Sequence, residues 1–120
     1  MWVGRSARDN DALTFHHAKG NHTWLHARGV AGSHVIVPRA LDGLDGELLI
    51  DAAHLAAWFS PSRGEARVDV QLALRKHVRK PAPGAPPGFV HIAKERVVHL
   101  VVDEARTRRL LDAERAGAPV

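Results

Sequence analysis

A chain of 120 residues with 45% hydrophobic content has the size of one globular domain, large enough to stabilise its own core and too short for two. It has no cysteine, which excludes disulfides, cysteine-ligated zinc and thiol catalysis and fits a reducing, cytoplasmic setting. Seventeen Lys+Arg against thirteen Asp+Glu leave a net charge of +4, so polyanions are the expected partners. No apolar run approaches the roughly 20 residues of a bilayer span, so no membrane is expected.

In chain order, Trp2 to Arg5 reads as a first strand without the layout of a signal peptide. Asp9, Asn10 and Asp11 offer N-caps for a short helix through Leu13 and Phe15 to Ala18, with Gly20 as its stop. Thr23 to Arg28 and Ser33 to Pro38 form a hairpin whose turn has a glycine at each end, Gly29 and Gly32. Gly46 to Phe59 is the clearest helix, ended by Ser60-Pro61; its alanines allow close packing on a sheet. Arg67 to Lys80 alternates with period two. Val68, Val70, Leu72, Leu74 and Val78 fall on one face and Arg67, Asp69, Gln71, Arg75, His77 and Arg79 on the other. Lys76 breaks the apolar face, so a bulge or the end of the core is expected nearby. Pro81 to Gly88 is a stiff loop between strands. Phe89 to Ala93 and Val97 to Val102 read as a second hairpin. Asp103 caps a last amphipathic helix that Gly117 and Pro119 stop. The order β-α-β-β-α-β-β-β-α predicts an α+β fold with a mostly antiparallel sheet and helices packed on it.

Charge is segregated along the chain. Acids gather at Asp42, Asp45, Glu47 and Asp51. Bases gather at Arg63, Arg67, Arg75, Lys76, Arg79 and Lys80, with His77 among them. On one extended strand Arg75, His77 and Arg79 would stand about 6 to 7 Å apart, the scale of successive phosphates. The stiff loop would then hold Lys80 at the rim, and Arg63 and Arg67 would extend the patch. Gly32-Ser33-His34 could present backbone N–H groups and two short polar side chains to a phosphate or ribose oxygen, or be a tight turn feeding a buried strand. Trp24 could stack on a base or lie in the core, while Trp58 is expected in the core.

Nine histidines raise the question of a metal. On a strand His22, Trp24 and His26 share a face, and His34 could lie across the hairpin, so a three-histidine site of a small metal-dependent enzyme stands as an alternative. The other reading is a set of neutral histidines bonded to backbone or phosphate. There is no nucleophile elbow, Walker A sequence or dinucleotide fingerprint, so neither catalysis nor a cofactor has a positive signal. A protein-interaction domain docking on a ribosomal or modification-enzyme partner is the third reading.

Several ordered motifs then point to a family. Val3-Gly4-Arg5, Asn10 to Thr14, Trp24-Leu25-His26-Ala27 and Gly32 to Ile36 are followed in register by three more. These are Ala52 to Ser60, Val78-Arg79-Lys80-Pro81 and Pro87-Gly88-Phe89-Val90. Together, over residues 2 to 102, they resemble the NFACT-R domain, the RNA-binding domain of the NFACT proteins of ribosome quality control (the NEMF, Caliban, RqcH and fibronectin-binding-protein group). The resemblance implies an RNA-binding module for tRNA or rRNA, with the ribosome as a further partner and Arg5, Asn10, Trp24, His26, Ser33, His34, Arg79 and Lys80 at the motif positions. Arg75 and His77 join them from the charge pattern. Residues 103 to 120 are expected to belong to the same domain as a helix and tail.

Three departures limit what carries over. Asn21-His22-Thr23 stands where the family has acids, and no aromatic lies in Val68-Asp69-Val70-Gln71. The N-terminal, helix-hairpin-helix and coiled-coil domains of the large members do not lie in these residues, so a free-standing domain is expected, without their tRNA-recruiting and tailing activity. Free-standing members point instead towards RNA modification such as tRNA thiolation. The oligomeric state stays open.

Overall fold

A computed structural model describes residues 1–115, with side chains through residue 113. These residues build a five-stranded antiparallel sheet in the order β1 (Trp2–Val3), β3 (Val35–Val37), β2 (Thr23–Ala27), β4 (Arg67–Leu74), β7 (Arg96–Val101), with three helices and a two-stranded ribbon of β5 (Val78–Arg79) and β6 (His91–Ile92). The α+β class expected from the element order is the one found.

The period-two pattern of the strands sorts their side chains onto two faces. One face collects Leu25 and Ala27 of β2 (Thr23–Ala27), Val35 and Val37 of β3 (Val35–Val37) and Val68, Val70 and Leu72 of β4 (Arg67–Leu74). Helix α2 (Gly46–Trp58) lies on it with Ala52, Ala53, Leu55, Ala56 and Ala57, all buried. Asp45 caps this helix by accepting from the Glu47 N–H, and Phe59 ends it just before the predicted Ser60-Pro61 stop. Helix α3 (Glu104–Arg115) begins as expected at Asp103, whose carboxylate accepts from the N–H groups of Ala105 and Arg106. It is locked to α2 by Arg106, which bridges Asp51 at 2.7 Å and Glu47 at 2.8 Å. Buried His54 adds a second tie, donating to the Ile50 carbonyl and accepting from the Asp103 N–H. The expected stop at Gly117 and Pro119 lies outside the described residues.

The other face carries Trp2 of β1 (Trp2–Val3), Trp24, His26, Ile36, Ala73 and Gln71. Half of it is roofed. The wide π-helical turn Leu13–His17, which continues helix α1 (Ala7–Ala12), and the ribbon β5 (Val78–Arg79) with β6 (His91–Ile92) cover Trp24, Ile36 and Ala73. The roof ends at His26 and Gln71, which pair across β2 and β4.

Several expectations are corrected here. Ser6, not the Asp9–Asp11 run, caps α1, and the helix ends at extended Ala18 before Gly20 is reached. The strand predicted from Arg67 to Lys80 breaks at a 3-10 turn, Arg75–His77, beside the Lys76 irregularity. The turn forms because Arg75 and Lys76 donate their backbone N–H groups to His22 and Gly20 outside the sheet. Arg75, His77 and Arg79 therefore do not share one extended face. The second hairpin does not form: β6 pairs with β5, while β7 (Arg96–Val101) pairs with β4. Lys94 between them adopts a positive φ of 54°, where the chain leaves the ribbon for the sheet. Trp58 is half-buried at the core edge, with the Arg63 guanidinium 4.2 Å over its ring.

Candidate nucleic-acid interface

Where the roof stops, a cleft of about 610 Å³ opens over His26 and Gln71. Its walls are the start of α1, the Gly29–Ser33 connection, Phe59, and the Pro87–Val90 end of the proline-glycine loop. Four of the sequence-selected residues line it: Arg5, Asn10, His26 and Ser33.

Asn10 holds two walls together. It is buried, donates from Nδ2 to the Gly32 carbonyl at 3.2 Å, and accepts the His34 N–H on Oδ1 at 3.0 Å. Gly4 makes room for it, since a Cβ there would fall 2.1 Å from Asn10 Oδ1. Gly32 is required for a different reason, because its Cβ would meet the Ser60 Cβ at 2.8 Å. Gly29 supplies the positive φ of 74° that starts the connection.

The Gly32-Ser33-His34 backbone is not an anion nest. Its three N–H groups are all used internally. Gly32 donates to His26 Nε2, Ser33 to the Phe59 carbonyl at 2.9 Å, and His34 to Asn10. Only the Ser33 side chain is left to face the cleft.

His34 is 1% exposed, in hydrogen bond with the Thr14 hydroxyl at 2.8 Å. Burial, reinforced by neighbouring His26, lowers its pKa to about 3, so it is neutral at physiological pH. Burial also lowers His26 from the usual histidine range. Its Nε2 accepts from Gly32, which leaves Nδ1–H directed at Gln71 Oε1. Trp24 completes a triangle with them, its ring centroid 5.7 Å from His26 and 5.2 Å from His34, while the two imidazoles lie 5.6 Å apart. Its indole is fully buried and has no exposed face on which a base could stack; its Nε1 makes no hydrogen bond. His22 turns away to Trp2, and among the described residues no three His, Cys, Asp or Glu side chains gather in a metal-binding group.

The basic candidates divide in two. Arg75 is spent on the fold: it donates to the Thr14 and Val78 carbonyls and lies 4.8 Å from the Phe15 ring centroid. Lys80 is ion-paired with Asp11 at 3.1 Å and also donates to the Pro86 carbonyl at 2.9 Å. Asp11 accepts the Gly88 N–H as well. Burial pushes its carboxyl up, but these donors outweigh that and hold it below the ordinary range. The Lys80–Asp11 pair thus clamps the proline-glycine loop to α1. Arg79 is exposed on the ribbon beside His91, and His77 is half-buried in the preceding turn. Arg63 and Arg67 do not extend this patch. Arg67 begins β4, about 25 Å of strand from Arg75 at the usual rise per residue.

The basic segment and the β2-β3 hairpin pack together, with Val78 in one cluster with Trp24 and Ile36. Gln71, Val30 and Phe89 were not singled out from sequence as site residues, yet all three line the cleft. A sequence signal existed for Phe89, a lone aromatic after Pro-Pro-Gly.

The fold and cleft define a class of small α+β domain that has a solved counterpart. The C-terminal part of the fibronectin/fibrinogen-binding protein of Streptococcus suis superposes with a TM-score of 0.81 at 36% identity, over 89% of this chain and 42% of that one. Among curated proteins, the Rqc2 homolog RqcH of Streptococcus suis is 37% identical over 108 residues, and that of Bacillus subtilis 35% identical over 101. These alignments take in 90% and 84% of this chain but only 19% and 17% of the relatives, so the chain spans about a fifth of their length. No family model matches the chain. The chain is homologous to one part of the RqcH proteins and shares the fold of the C-terminal part of the fibronectin/fibrinogen-binding protein.

Proposed function

We propose that this chain is an RNA-binding module of the NFACT-R type, holding structured RNA such as tRNA or rRNA in ribosome-associated quality control or RNA modification. The observation that carries this reading is the homology to RqcH across 84 to 90% of the chain. The net charge of +4 and the exposed Arg79 on the ribbon agree with it. The RNA would lie along the ribbon and across the cleft mouth, with Arg5, His77 and Arg79 towards its backbone. Asn10, Trp24, His34, Arg75 and Lys80 act from behind, shaping the surface without reaching the ligand.

Binding through phosphates releases counterions, so affinity for a tRNA should fall at least tenfold between about 50 and 200 mM salt. Arg79→Ala should weaken binding to unrelated RNAs alike and flatten that dependence. Fluorescence anisotropy measures both; an affinity independent of salt contradicts the proposal.

A protein-docking reading takes its support from the name of the fibronectin/fibrinogen-binding relative. Capture of a protein that survives nuclease treatment, with no RNA affinity, would favour it.

A further inference from the structure

The five-stranded sheet has two edges and guards only one of them. β1, at one end of the strand order, is two residues long, too short to template another strand. β7, at the other end, is six residues long and keeps an unbroken register with β4, from Arg67↔Val101 to Leu72↔Arg96. Edge strands are normally kept from pairing by proline, a bulge or charges along their length. β7 has no proline and no bulge, and its one permanent charge, Arg96, stands at its first position. At its other end is Val101, 67% exposed, one of two large hydrophobic side chains so exposed among the described residues.

The hydrogen-bond phase defines what this edge offers. Just past β7, the Val102 N–H donates to the Ala66 carbonyl at 2.9 Å. In an antiparallel ladder alternate residues bond to the same neighbour. Arg96, Val98 and Leu100 therefore turn their backbone groups to β4, while Val97, His99 and Val101 turn theirs outward. The Asp69 carbonyl, which accepts the Arg28 N–H on the opposite side of β4, fixes the same phase.

The three outward residues are spaced evenly about His99, so the strand complements itself. A second β7, antiparallel about a two-fold axis at His99, sets Val97 opposite Val101 of the copy, His99 opposite His99, and Val101 opposite Val97. Each pair exchanges two backbone hydrogen bonds. A shift of two residues either way would leave Val97 or Val101 facing a residue beyond the strand. On the face covered by α2, the same alignment brings Val98 against Leu100, extending the apolar cluster across the seam. Exposed Arg96 falls opposite Val102 of the copy, next to exposed Asp103 and Glu104 at the start of α3. A cation thus meets two acids at each end of the seam, while Glu95 is turned to Gln71 on the other face.

We propose that β7 is a self-association edge, joining two copies of this chain by strand pairing into one continuous sheet. The two open sheet faces then lie on the same side, with their roofed halves at the far ends. This inference is independent of the RNA-binding reading. The contact is one strand long, smaller than the roughly 1,200 Å² of a stable complex, so the dimer should form with a Kd of about 10–100 µM.

Sedimentation equilibrium of the full chain from about 5 to 500 µM should fit a monomer–dimer equilibrium in that range. Amide hydrogen exchange should slow with rising concentration at Val97, His99 and Val101, but not at Trp2 or Val3 on the other edge. Val101→Lys should raise Kd at least tenfold, whereas Val101→Ile should dimerise as the wild type does. Val101 is largely exposed, so neither change should unfold the protein, and circular dichroism checks this. A chain that stays monomeric at the highest concentration overturns the proposal, as does association that Val101→Lys leaves unchanged.

Discussion

The two faces of the sheet are built on different principles. The α2 face is closed by apolar contact, with alanines letting the helix approach and leucines and valines filling the space between. The opposite face has a smaller apolar cluster around Trp24 and is held by polar pins: Asn10 to Gly32 and His34, Thr14 to His34, and Lys80 and Gly88 to Asp11. Apolar packing closes a face completely. Polar pins fix walls at set distances and can leave a space between them, and the cleft lies on the pinned face.

Substitutions should separate the two. Leu25→Ala, on the closed face, should cost about 2–5 kcal/mol in urea denaturation, with a pH profile parallel to that of the wild type. His34 should behave in the opposite way. Its folded-state pKa of about 3 lies below the ordinary histidine value of 6.5, so between these values the unfolded chain binds the proton and the folded one does not. Its stabilising effect is therefore complete above pH 6.5 and is lost as pH falls towards 3, by up to about 1.4 kcal/mol per pH unit. His34→Asn should flatten that slope without abolishing it, because His26, His22 and Asp11 are shifted in the same direction. Slopes equal in wild type and variant would remove His34 from the account.

Asn10→Ala strips partners from a buried carbonyl and a buried N–H and should cost about 1–3 kcal/mol. Unlike Leu25→Ala, it should also weaken RNA binding at temperatures where the protein remains folded, because it holds two walls of the cleft. Lys80→Ala should have the smallest effect on stability, about 0–1 kcal/mol, because its ion pair is partly exposed. Against RNA it should act differently from Arg79→Ala. Releasing the proline-glycine loop should reduce RNA binding less than Arg79→Ala does, because Lys80 acts through the loop it holds. Equal effects of the two variants would show Lys80 acting as a simple phosphate contact.

Much of the closed face was legible in the chain. Asp45 and Pro61 bracket α2, Asp103 starts α3, and the alternation of Val68, Val70 and Leu72 states which side of β4 is buried. These signals are local, carried by residues within one element. The pinned face was much less legible. Lys76 marked an irregularity, but the alternation resumed to Arg79 and suggested one strand, because nothing nearby in sequence reveals that Gly20 and His22 will draw Arg75 and Lys76 out of register. The apparent hairpin of residues 89 to 102 failed for a related reason: alternation tells which face a side chain takes but not which strand its backbone will pair with.

The candidate site shows the same division. Residue type and motif order were enough to select Arg5, Asn10, His26 and Ser33, which meet at one cleft. Their work could not be read from type alone. Lys80 and Arg75 are cations in any sequence, yet only the fold brings Asp11 and the Thr14 carbonyl to them. Trp24 is an aromatic on a strand, yet only the Leu13–His17 turn and the ribbon decide that it is enclosed. The chain by itself determined the α+β class, the limits of α2, the start of α3 and the net charge, because these depend on propensity, capping and composition. The tertiary structure decided which cations remain at the surface, which aromatic faces solvent and where the cleft opens, because each depends on contacts between residues distant in sequence.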